Sequence, residues 1–153
     1  MTIEYTDAPE VDALVKRLVV QHHGHLAGER IRCVFRSEHA KDGGKAVLGK
    51  ARKISGLNAF LSGNDDDAYF VIEIANDIWL GMNDAERLAL VDHELSHCGI
   101  KINAKTFEPS LVIRPHDLEE FNAIVERHGL WRRDVKDFLA AASGQLPLVE
   151  AEA

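Results

Sequence analysis

The sequence predicts a compact α+β domain: an N-terminal helix, a small sheet of three or four strands, a helix that carries the chemistry, and one or two C-terminal helices. Apolar residues recur at helical spacing near both ends and in the middle of the chain, and alternate at strand spacing between the first two helices. With 153 residues and 46% hydrophobic content, the chain is long enough to bury a core. It reads as a single domain, 1–153, with a flexible tail from about 145.

Composition excludes several classes. A net charge of −7 disfavours sequence-independent nucleic-acid binding, which depends on neutralising phosphates. No apolar run has the length of a membrane span, and the N-terminus lacks a basic region followed by an apolar one, so the expected location is cytoplasmic. Cys33 and Cys98 are too few for a disulfide scaffold and are expected to be free thiols. Neither a phosphate-binding glycine loop nor G-x-S-x-G occurs.

In chain order, Val11, Leu14, Val15, Leu18 and Val19 mark a helix from Ala8 to about Gln21. His22, His23 and His25 follow, and their position at a helix C-terminus beside Gly24 favours a structural over a metal-binding role. Ile31, Cys33 and Phe35 mark a strand over Glu29–Arg36. Residues 37–45 read as a loop around Asp42-Gly43-Gly44, and 46–55 as a second strand. Its cations Lys45, Lys50, Arg52 and Lys53 are read as a solvated face. Asn58–Leu61 reads as a short edge element, and Asp65-Asp66-Asp67 as a polar loop lacking the ligand spacing of a calcium site. Phe70, Ile72 and Ile74 alternate with Tyr69, Val71 and Glu73 in the clearest strand, Ala68–Ala75. At a sheet edge, that strand could align a peptide by main-chain pairing.

The chemistry lies in His93-Glu94-Leu95-Ser96-His97, an H-E-x-x-H sequence. Residues four apart share a helix face, so both imidazoles can reach one metal ion, while Glu94, rotated by about 100°, can reach a water on that ion. The local sequence supports a helix over about 84–98. Asn83 and Glu86 form a capping box, and Gly99 is expected to supply the stop. Leu88, Val91, Leu95 and Cys98 form an apolar stripe opposite His93 and His97. This places Cys98 in the core and argues against it as a ligand.

Catalytic zinc usually has three protein ligands and one open position. The metzincin third histidine would fall at position 103, which is Asn103. Glu119 and Glu120 stand at a thermolysin-like distance, while Glu108 is too near. His116 lies just before an expected helix containing Leu118, Phe121, Ile124 and Val125. Asp117 and Glu120 look like a second capping box, which gives Glu120 a competing role. On spacing, His116 is preferred over the glutamates.

The segments Leu90–His97, Arg114-Pro-His-Asp-Leu-Glu-Glu-Phe121 and His128-Gly-Leu-Trp131 resemble the metallopeptidases encoded by phages and prophages. That family is more distantly similar to SprT-like proteins. The resemblance runs from the first helix to Trp131, and its more discriminating piece is Pro115-His-Asp-Leu-Glu-Glu-Phe121. It implies His93, His97 and His116 as metal ligands and Glu94 as general base or acid.

The expectation is therefore a zincin-like domain that holds one Zn2+ and hydrolyses peptide bonds in a protein or peptide substrate. Tyr69, Arg114 and His128 are candidates for stabilising the oxyanion. Val135, Phe138, Leu139 and Ala142 mark a closing helix. Two rivals stand beside this reading: a non-catalytic, metal-stapled module that binds another protein, and a DNA-associated SprT-like protease.

Overall fold

The structure is a computed structural model that describes residues 2–63 and 67–144. Asp65 and Asp66 of the acidic loop expected at Asp65-Asp66-Asp67, and the tail expected to fray from 145, lie outside the described residues. The chain divides into two units, Met1–Arg114 and Pro115–Ala153.

The first unit begins with β1 (Tyr5–Asp7) and α1 (Pro9–His22). Pro9 opens α1 at a position where its missing N–H costs nothing. After a 3-10 turn (Gly24–Leu26) come β2 (Ile31–Arg36), β3 (Ala40–Asp42), β4 (Lys45–Val47), β5 (Gly49–Ile54) and α2 (Gly56–Leu61). Then follow β6 (Tyr69–Ala75), α3 (Asn76–Trp79), α4 (Asp84–Ser96), β7 (Cys98–Ile102) and β8 (Pro109–Ile113). The expected α+β class is what the structure has.

The main sheet has four strands in the order β1-β2-β6-β5. β2 runs parallel to β6, and β1 and β5 are antiparallel to their neighbours. One core fills this unit: Val11, Val15 and Leu18 from α1, Cys33 and Phe35 from β2, Phe70, Ile72 and Ile74 from β6, and Val91 and Leu95 from α4. Fully burying an aliphatic side chain of this kind contributes about 1.5–3 kcal/mol, so the apolar stripe of α4 is what seats the helix.

Several expectations need correction. β6 is not an edge strand, because β2 and β5 hydrogen-bond to its two sides. It therefore has no free edge for a peptide. Residues 40–47 form a hairpin rather than a plain loop and the start of a strand. The two-residue connection Gly43-Gly44 has φ of 56° and 82°, the left-handed pair that a tight hairpin turn requires. Residues 56–61 are helical rather than an edge element. The Ser62 hydroxyl donates to the Ala59 carbonyl at 2.8 Å, and the Ser62 N–H to Asn58 at 3.1 Å, which closes the turn locally. The β7–β8 hairpin was not expected at all, although Ile100 and Ile102 alternate with Gly99 and Lys101 along its first strand.

In the second unit, α5 (Asn122–His128) and α6 (Arg133–Ser143) are helical. Helix α5 starts at Asn122, four residues later than Asp117 and Glu120 suggested. Arg132 donates to the Glu119 carbonyl at 3.2 Å and lies 3.9 Å from the Glu120 carboxylate, holding that stretch out of a helix. Helix α6 covers the expected span, with Val135 buried but Phe138 and Leu139 exposed.

Candidate metal centre

Helix α4 begins as its sequence dictates. The Glu86 N–H donates to the Asn83 side chain at 2.8 Å, and the Asn83 N–H to the Glu86 carboxylate at 3.0 Å. One turn on, Arg87 donates twice to the Trp79 carbonyl, at 3.1 and 2.9 Å, with its guanidinium over the Trp79 ring. Val91, Leu95 and Cys98 are fully buried. That orientation leaves His93 and His97 on the far side, with ring centroids 5.2 Å apart and planes at 77°.

The end of α4 is set by distant residues rather than by Gly99. His97 is the C-cap, and its carbonyl accepts the Arg114 N–H at 2.6 Å. Gly99 sits inside β7 instead, where a Cβ would lie 2.7 Å from the Arg114 side chain. In return, His97 Nδ1 lies 2.6 Å from the Arg114 carbonyl oxygen. A carbonyl can only accept, so Nδ1 carries the proton and Nε2 keeps its lone pair. This is the tautomer a metal-binding imidazole needs, fixed by a main-chain group as such ligands usually are.

Glu94 points the other way from solvent. It is 4% exposed, and burial pushes its carboxyl up from 4.5 to about 7, with the charge of His97 opposing the shift. Its Oε1 lies 4.0 Å from His93 Nε2. Space for it comes from Gly49 at the start of β5. A Cβ there would stand 3.0 Å from Ile74 Cδ1, 3.2 Å from the Glu73 carbonyl oxygen and 3.2 Å from Glu94 Cγ. A carboxyl held near neutrality beside two imidazoles can take and return a proton.

Other sequence candidates take different places. His116 belongs to the second unit, two residues past Arg114 and exposed. Glu120 accepts the Phe121 N–H at 2.9 Å, and Glu108 sits in the exposed β7–β8 turn, its carbonyl accepting from Asn103. The Cys98 thiol is buried and pushed up to about 12, far from the thiolate that ligation requires. Tyr69 pairs with Ile54, five residues along β5 from Gly49, which puts it about 17 Å from the Glu94 end of the sheet. Arg114 stands beside His97, and His128 closes α5 in the second unit.

His23 and His25 do not form a metal cluster. His23 Nε2 lies 2.6 Å from Asp92 Oδ1, and His25 Nε2 donates to the Cys98 carbonyl at 2.9 Å. Asp92, Gly49 and the Arg114 carbonyl were not expected at the site from their sequence positions. Only Gly49 left a visible signal, as a glycine opening a strand.

The sequence profile of one family, described as "Putative phage metallopeptidase", matches residues 3–143. The chain belongs to this family. Comparison with curated proteins and with solved structures gave no match. The phage metallopeptidase description implies a metal ion and a protein substrate. The donors on α4 fit such an ion: two imidazoles one helical turn apart, one with its tautomer fixed, and a carboxyl adjacent. No helix among the described residues is long and apolar enough to cross a membrane.

Proposed function

We propose that this chain is a zinc-dependent peptidase in which His93, His97 and His116 hold one Zn2+ and Glu94 is the general base. The observation that carries the proposal is the pairing of a tautomer-fixed His97 with a buried Glu94, its carboxyl pushed up to about 7, three residues earlier on the same helix. Chain reach supports His116 as well. Arg114 is bonded to His97 by both main-chain groups, and two residues span at most about 7 Å. Pro115 between them fixes φ and biases Arg114 toward an extended conformation, which lowers the entropy of placing His116.

When bound, the ion would supply Lewis acidity toward water and the scissile carbonyl. The chain's own groups do the rest. The Glu94 carboxylate accepts a proton from the attacking water and returns it to the leaving amine, so the peptide C–N bond breaks with protons balanced. Burial matches Glu94 to this task by bringing its pKa toward the working pH. Arg114 is the candidate donor for the oxyanion in the first unit.

The test combines metal content with turnover. Wild type is expected to hold one zinc per chain, and His116→Ala less; an unchanged stoichiometry removes His116 from the site. Glu94→Gln should keep its zinc and cleave a mixed peptide library about 10²–10⁴-fold more slowly. A wild type that holds a full zinc and cleaves nothing would return the chain to the metal-stapled binding module, and cleavage stimulated by DNA would favour the SprT-like alternative.

A further inference from the structure

We propose that His23 and His25 are positioning residues of the metal centre, acting as a two-point brace that fixes the last turn of α4 from both sides of H-E-x-x-H. The inference rests on the proposed metal site and assigns a task to side chains outside it.

The two histidines lie at the C-terminal end of α1, His23 as the helix C-cap and His25 in the 3-10 turn that follows. His23 is 9% exposed at its side chain and reaches Asp92, the residue directly before His93. His25 reaches the carbonyl of Cys98, the residue directly after His97. Their rings lie edge-on, with centroids 6.1 Å apart. The motif is thus bracketed by two hydrogen bonds from one turn of another helix.

Apolar packing alone would not provide this. Val11, Val15 and Leu18 share one core with Val91 and Leu95, but hydrophobic contact is non-directional and resists separation more than rotation. An imidazole nitrogen stands about 6–7 Å from its helix axis, so a 10° turn of α4 moves it by roughly 1 Å. Metal–ligand distances tolerate only about ±0.2 Å. Directional bonds at both ends of the motif supply the missing constraint on rotation, and they do so without touching the ion.

The experiment measures Co2+ affinity by chelator competition, together with the visible absorption of the cobalt protein, in folded samples. His23→Leu and His25→Leu should each weaken Co2+ about 10–100-fold, the usual cost of losing an outer partner of a metal ligand, and shift the absorption bands. His23→Gln and His25→Gln, whose amides can still donate, should recover most of the loss. Val15→Ala serves as the structural control: it lowers Tm with affinity unchanged. Should a Leu variant fail to fold, Asp92→Ala removes the same bond from its more exposed side and is expected to weaken Co2+ similarly. Leu or Asp92→Ala variants that bind Co2+ like wild type would overturn the brace. A wild type that takes up no Co2+ would instead overturn the metal centre itself.

Discussion

The two ends of α4 are built in opposite ways. At its start, Asn83 and Glu86 satisfy each other's N–H groups three residues apart. At its finish, His97 is held by Arg114 seventeen positions away, and the flanking Asp92 and Cys98 by His23 and His25 about seventy positions away. The local end determines only that a helix begins. The distant end, where the candidate chemistry lies, exists only once α1, β7 and β8 have docked. The candidate site therefore sits on the half of the helix whose geometry depends on the whole unit.

Three measurements bear on that contrast, beginning with the largest effect. Glu94 has a folded pKa of about 7 against an ordinary 4.5, so the metal-free folded state binds its proton more tightly than the unfolded state. Its contribution to stability is full below about pH 4.5 and is lost as pH rises through 7. In chelator-treated protein, Glu94→Gln should flatten that part of the profile and gain on the order of 3 kcal/mol above pH 7. Parallel curves for the two proteins in denaturant melts would show that the pocket does not desolvate Glu94.

Gly49→Ala comes next. The new methyl meets the Glu73 carbonyl oxygen as well as two side chains, and a main-chain oxygen cannot swing aside, so a loss of about 1–3 kcal/mol is expected. Urea unfolding reads this as a lower midpoint with unchanged slope. An unaltered midpoint would mean that β5 can shift away from Glu94.

The smallest effect belongs to the local end. Asn83→Ala should cost about 1 kcal/mol in stability and leave zinc affinity as in wild type, measured by chelator competition. A drop in affinity would erase the distinction between the two ends.

The same contrast explains what the sequence reveals. The capping box of α4, its apolar stripe and the alternation of β6 are local or periodic patterns, and the structure has them where the residues put them. Gly43-Gly44 encodes a hairpin turn just as locally, yet its strands are three residues each, too short for alternation to register. Gly99 looks like a helix stop because glycine commonly is one, but the pairing of His97 with Arg114 ends the helix first. Asp117 and Glu120 fit a capping pattern that Arg132 overrides by holding the neighbouring backbone. In the last two misreadings, a contact from elsewhere in the unit outweighs a preference worth about 1 kcal/mol. For the candidate site, His93, Glu94 and His97 were legible as a motif. The residues that aim them were not, because nothing in the spacing of His23 and Asp92 announces that they meet.

The hydrogen bond from His97 Nδ1 ends on a main-chain oxygen, and this sets how the site tolerates sequence drift. Any of the twenty residues at position 114 presents that same carbonyl, so the tautomer of His97 is inherited with the backbone path rather than with a side chain. Proline at 114 would delete the N–H that the His97 carbonyl accepts, yet even it would keep the oxygen. The His23–Asp92 contact has no such protection, since one substitution on either side removes it. A mutational scan would then find position 114 permissive for this purpose and positions 23 and 92 restrictive, even though all three serve the same two imidazoles.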